Sequence, residues 1–193
     1  MHRCLASCSA PFTHSRTHIV KAGKSKPVAP APEAARELSH VDARGKFRMV
    51  DVADKPVSVR SASASGYILM QAETFKAIQN NTLAKGDVIP VARLAGIQAA
   101  KRTADLIPLC HPLPLSGIEV LVNLDESLPG VRVQGSVRTT AQTGVEMEAL
   151  TAVSVALLAV YDMAKAIDRT MVISEIVLRE KRGGTKGDFT RTP

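Results

Sequence analysis

Ile118-Glu119-Val120-Leu121-Val122-Asn123-Leu124 and, beyond the turn from Asp125 to Gly130, Val131-Arg132-Val133-Gln134-Gly135-Ser136-Val137 decide the fold of this 193-residue chain. In both segments every second residue is apolar or small, the period of a strand with one buried and one wet face. The turn between them is short and polar, so the pair reads as a hairpin. Downstream, Thr143-Gly144 opens a helix from Val145 to Ile167, rich in Ala and Leu. Val172, Ile173, Ile176, Val177 and Leu178 then form a last strand, and the chain turns polar from Lys181. Upstream, Val57, Val59 and Tyr67-Ile68-Leu69-Met70 read as an extended segment. Glu73 to Asn80 reads as a short helix, and Asp87 as the N-cap of a second through Val91, Leu94, Ala95 and Ala99, with Pro90 allowed in its first turn.

The order strand, helical pair, strand, strand, long helix, strand is the split βαβ plan. The expected fold class is α+β and ferredoxin-like, an antiparallel sheet with helices packed on one face. Forty-five per cent apolar residues supply a core, and six aromatics without a tryptophan make it aliphatic. Single-stranded nucleic acid is held by stacking on aromatic rings, so that class is disfavoured despite a net charge of +7. The charge is also unevenly placed. Residues 1–36 carry six cations and one acid, +5 of the +7, while the remaining 19 cations and 17 acids leave +2.

Residues 1–36 lack periodicity and end in the proline-rich Lys26-Pro27-Val28-Ala29-Pro30-Ala31-Pro32. They read as a disordered basic extension preceding a domain over residues 37–193. Such a segment suits an organelle presequence, with a mitochondrial matrix location in a eukaryote, or a plain extension of a cytoplasmic bacterial protein. No run approaches 18 consecutive apolar residues, so no membrane partner is expected. Cys4, Cys8 and Cys110 form no disulfide framework, and no further ligand follows the C-x3-C spacing as an iron–sulfur site would need. With only His40 and His111 in the globular part and no paired ligand spacing, neither a metal nor a cofactor is expected.

Polar clusters stand at the element junctions. Lys85-Gly86-Asp87 is ordinary turn and cap material, except that Lys85 has no local structural duty. Leu109-Cys110-His111-Pro112 is stiffened by Pro108 and Pro112; neighbours on an extended chain point apart, so Cys110 and His111 make no dyad and His111 reads as a proton donor or substrate contact. Glu146 and Glu148, flanking Met147, either face the positive end of the helix or accept hydrogen bonds from a polar heterocycle. Asp162 and Lys165 share a helix face, as a solvated pair or a proton-transfer couple. Lys181 to Asp188, with three glycines and three cations, reads as a phosphate-cradling loop or as a flexible basic tail. Glu148 and Lys165 lie 17 positions apart on one helix, about 25 Å. A single small-molecule site using both ends needs two subunits, so a composite site at a homodimer interface is expected.

Taken together the chain resembles the cyclic pyranopterin monophosphate synthase family, the molybdenum cofactor biosynthesis protein C family. The resemblance rests on Met49-Val50-Asp51-Val52, Lys85-Gly86-Asp87, Ala95 to Thr103 (AGIQAAKRT), Asp105 to Pro112 (DLIPLCHP), Thr143 to Thr151 (TGVEMEALT), Tyr161-Asp162-Met163 with Lys165-Ala166, and Gly187-Asp188-Phe189. It implies a lyase that converts (8S)-3′,8-cyclo-7,8-dihydroguanosine 5′-triphosphate, made by a partner radical-SAM GTP cyclase, to cyclic pyranopterin monophosphate with release of diphosphate. It also implies hexamers, as trimers of dimers, with sites at the dimer interface. Carried over, Asp162 is the catalytic acid/base with Lys165 and Lys85 as partners. Leu109, Cys110 and His111 contact substrate, Glu146, Met147 and Glu148 hold the guanine-derived ring, and Arg60 and Lys181 meet phosphate. Where the family often has Gly-Gly-Lys-Ser-Gly, this chain has Gly183-Gly184-Thr185-Lys186-Gly187, with the cation one position later. Two other classes compete: a non-catalytic nucleotide- or RNA-binding module of the same fold plan, which would need a basic-aromatic strand, and an inactive pathway scaffold.

Overall fold

The computed structural model describes residues 45–185 and 187–192. It runs β1 (Ser58–Leu69), α1 (Ala72–Gln79), α2 (Val88–Lys101), α3 (Thr103–Leu106), β2 (Leu115–Asp125), β3 (Gly130–Ala141), α4 (Glu146–Ala164), β4 (Val172–Arg182) and β5 (Phe189–Thr190). The expectations for residues 1–36, Cys4, Cys8, His40 and Lys186 lie outside the described residues.

The strands form one antiparallel sheet in the order β2-β3-β1-β4-β5. Its first four members have the ferredoxin-like order, as the sequence pattern implied. β3 alternates cleanly: Val131, Val133 and Val137 are buried, while Arg132, Gln134 and Arg138 are exposed. The hairpin turn is fastened by Asp125, whose Oδ1 accepts from the Ser127 amide and hydroxyl at 3.0 and 2.6 Å and whose Oδ2 pairs with Arg132.

α4 lays Ala149, Ala152, Val153, Ala156, Leu157 and Val160 against the sheet, all fully buried. By length and composition this 19-residue helix would suffice to cross a bilayer, but in the fold its apolar face is covered by protein. α2 crosses α4 closely at Gly96, where a Cβ would stand 2.8 Å from the Ala152 carbonyl and 3.2 Å from the Ala156 Cβ. The Asp87 carboxylate caps α2, accepting from the Ile89 amide at 3.1 Å.

Two readings are corrected, and one element is added. The long helix stops at Ala164 rather than Ile167, with Lys165 as its C-cap. The chain from Lys181 is not a tail: β4 continues to Arg182, and β5 returns along it, Lys181 opposite Phe189. Gly183, Gly184 and Gly187, with φ of 78°, 105° and 76°, supply the reversal, since only glycine enters that region freely. The short helix α3 had no signal of its own.

Candidate functional site

β1 begins, β3 and β4 end, and α4 begins at one end of the sheet, where a cleft of about 880 Å³ opens. Leu109, Cys110, His111, Glu146, Met147, Glu148, Arg60 and Lys181 all line it. Eight residues chosen from four separate stretches of sequence therefore meet in one cavity.

Arg60 occupies the helix-side face of β1 and is 6% exposed. Its Nε donates to the Ala141 carbonyl at 3.1 Å and its Nη2 to the Pro56 carbonyl at 3.5 Å. Nη1 lies against Gly184, where a Cβ would collide with it. A guanidinium pinned by backbone carbonyls is a rigid anion donor set. Lys181 reaches across from β4 to within 3.5 Å of Glu146 Oε1. The glycine loop is less open as a phosphate cradle than its composition suggested. The Gly183 amide donates to Asp188 Oδ1 at 3.0 Å, and the Gly187 amide to the Gly184 carbonyl at 3.4 Å. Gly183 and Gly184 still line the cleft, beside the side-chain cations of Arg60 and Lys181.

Glu148 is 4% exposed. Burial pushes its carboxyl above the ordinary value; its own backbone amide draws it partly back, and the neighbouring Glu146 charge adds to the rise. Cys110 follows the same logic. Burial, then the Glu148 charge, raises its thiol, so it stays protonated and is no thiolate nucleophile. His111 Nε2 lies 2.9 Å from the Val50 carbonyl. A carbonyl only accepts, so Nε2 carries the hydrogen in this contact, which ties the ring to the Val50 backbone.

The structure gives a place, as a strap, to a segment that the sequence marked only through the Met49-Val50-Asp51-Val52 resemblance. Residues 47–55 cross the mouth of the cleft, contributing Phe47, Val50, Val52 and Lys55. Besides His111, the Gln142 amide holds it, donating to the Ala53 carbonyl at 2.9 Å and the Lys55 carbonyl at 3.2 Å. Gln142 was missed because backbone carbonyls are its partners, and those leave no trace in a sequence. Asp168 was missed too. It is 2% exposed and accepts from the amides of Gln71 and Thr170 at 2.9 and 2.8 Å and from two threonine hydroxyls, joining the start of α1 to the loop after α4.

Lys85, Asp162 and Lys165 do not join the cleft. They assemble at the opposite end of α4. Lys165 Nζ is 2.7 Å from Asp162 Oδ1, and Lys85 Nζ is 2.8 Å from both Oδ2 and the Asp162 carbonyl oxygen. Gly86, with φ of 91°, makes the turn between Lys85 and the Asp87 cap of α2. All three side chains are about half exposed, and hydrogen bonds from Lys165 and Lys85 hold the Asp162 carboxyl down at about 2. Asp162 is therefore ionised at any physiological pH and fixes two ammonium groups side by side. Among the described residues, no three His, Cys, Asp or Glu side chains converge as a metal site requires.

Comparison with known proteins gives the family. The family model described as MoaC family matches residues 49–184. A protein of Parvibaculum lavamentivorans named cyclic pyranopterin monophosphate synthase is 56% identical over 156 residues, 81% of this chain and 98% of its own length. One of Nostoc sp. with the same name is 52% identical over 161 residues, covering 83% and 96%. Cyclic pyranopterin monophosphate synthase 1 of Mycobacterium tuberculosis is 54% identical over 158 residues, covering 82% and 92%. The matched span holds β1 to β4, both ends of α4 and every residue of the cleft and the lysine–aspartate cluster named here except Phe47 and Thr185, and on that extent of agreement the chain belongs to the MoaC family.

Proposed function

We propose that the protein is a cyclic pyranopterin monophosphate synthase of molybdenum cofactor biosynthesis. It would act as a lyase on the cyclised GTP derivative (8S)-3′,8-cyclo-7,8-dihydroguanosine 5′-triphosphate, delivered by a radical-SAM GTP cyclase. The observation that carries this reading is the division of α4: an anion- and heterocycle-binding cleft at its N-terminus and a lysine–aspartate–lysine cluster at its C-terminus. In the cleft, the acids at 146 and 148 suit the N–H edge of a guanine-derived ring, while Arg60 and Lys181 suit its phosphates. Closing the cyclic phosphate forms one P–O bond from a substrate hydroxyl and breaks another, releasing diphosphate. Cations placed on the developing negative charge favour that step.

Rebuilding the ring needs repeated proton transfers. The resemblance makes Asp162 the acid/base; with Lys165 and Lys85 holding its carboxyl down at about 2, the two lysines are the better proton donors and Asp162 the group that holds them. Since the two clusters stand at opposite ends of one helix, each complete site takes its cleft from one protomer and its lysine cluster from a partner, within a hexamer built from dimers. The RNA-binding alternative finds little support. Tyr67 is the aromatic residue of strands β1 to β4, and the Arg132 guanidinium already lies over its ring, 5.6 Å from the centroid. Product formation by the wild type and by Lys165→Ala tests the reading. Loss of turnover with retained folding is expected, and unchanged turnover would overturn the catalytic assignment.

A further inference from the structure

We propose that Gly144 is a positioning residue for Glu146: its missing side chain is the seat in which the Glu146 carboxylate rests. The inference rests on the reading of the cleft as the substrate site.

Glycines in this chain are explained in different ways. Gly45, Gly86, Gly183, Gly184 and Gly187 have positive φ, so the backbone itself selects them. Gly66, Gly96, Gly130 and Gly135 face packed side chains or backbone of the core. Gly144 belongs to neither group. Its φ lies outside the left-handed region, so alanine would be conformationally acceptable there. Yet a Cβ at 144 would fall on Oε2 of Glu146, 2.7 Å from Cδ and 2.9 Å from Oε1. The whole carboxylate thus occupies the space that any other residue would fill.

The cause is local. Glu146 is the first residue of α4, and the N-cap, Val145, offers no side-chain cap. The positive end of the helix favours an acid folded back toward it, and a glycine two positions earlier leaves it room. The same fold-back puts Oε1 3.5 Å from Lys181 Nζ, near the outer limit of an ion pair. Escaping a Cβ at 144 would move the carboxylate by more than about 1 Å, a displacement that in a binding site can lower efficiency on the order of a hundredfold. Gly144, itself at the wall of the cleft, thereby fixes where the acid meets both Lys181 and the ring of the substrate.

The test is a double-mutant cycle of Gly144→Ala and Glu146→Ala in the full chain, assayed with the cyclised GTP substrate and accompanied by thermal unfolding. Glu146 holds substrate in the ground state and transition state alike, so each single variant should raise KM on the order of ten- to a hundredfold, with kcat changed less than about threefold. In the Glu146→Ala background there is no carboxylate to displace, so adding Gly144→Ala should change KM less than about twofold. Gly144→Ala with a wild-type KM beside an impaired Glu146→Ala would overturn the positioning role alone. Equal losses from Gly144→Ala in both backgrounds would overturn it as well, because the effect would then be structural. A wild-type KM for Glu146→Ala would overturn the substrate-site reading of Glu146, and the inference with it.

Discussion

Mixing two crippled subunits should restore what neither has alone. Glu148 and Lys165 stand 17 residues apart on α4, a helix without glycine or proline to bend it, which separates them by about 25 Å. No lysine arm closes such a gap, so Glu148→Ala and Lys165→Ala each damage one end of the helix and leave the other intact. In a symmetric dimer with shared sites, a mixed pair contains one site with both lesions and one site with neither. Random assortment at equal amounts makes half the dimers mixed, so the mixture should recover about one quarter of wild-type activity per protomer. The assay is turnover after joint refolding, or co-expression, of the two variants, with subunit exchange verified by differently tagged copies. Each variant alone should remain near background. If exchange is complete and activity stays at background, the two ends of α4 do not serve one shared site, and the division of labour argued above is wrong.

Three further outcomes follow from the geometry. Burial raises the Glu148 carboxyl above its ordinary 4.5, so ionising it disfavours the folded state. Wild-type stability should fall as pH rises from 4.5 through the raised value, and Glu148→Gln should flatten that slope in unfolding titrations. Asp168 behaves in the opposite sense: burial alone would raise its carboxyl, but hydrogen bonds from Gln71, Thr170 and Thr74 hold it below 3.8. Asp168→Ala should therefore lose about 3 kcal/mol near neutral pH, measured by denaturant unfolding. The gap to wild type should close as pH drops below 3.8 through the lowered value, where the native carboxylate takes up its proton. Gly96→Ala drives a methyl against the Ala152 carbonyl and should separate α2 from α4, costing about 1–3 kcal/mol with little effect on KM.

The sheet and its two long helices were readable because each buries one face and wets the other, and that contrast is written residue by residue in stretches such as 131–138. α3, with four residues, and β5, with two, are too short to carry a period. They form because of what adjoins them: α3 lies between the end of α2 and the proline-stiffened loop, and β5 follows the glycine reversal. The site divides in the same way. Asp162 and Lys165 were readable as a pair because three positions on a helix fix their proximity locally. Lys85, 77 residues away from Asp162, was readable only as a residue without local employment. Its contact with Asp162 depends on how α2 packs on α4, at Gly96. Least readable were the supports: the carbonyls of Val50, Ala53 and Lys55 that hold the strap, and the empty Cβ position at 144 that seats Glu146. Side chains that perform chemistry declare themselves by type, whereas a carbonyl is common to all residues and a cradle is made by an atom that is missing. Residue types in this chain accordingly pointed to the groups able to react, and the backbone decides where each of them stands.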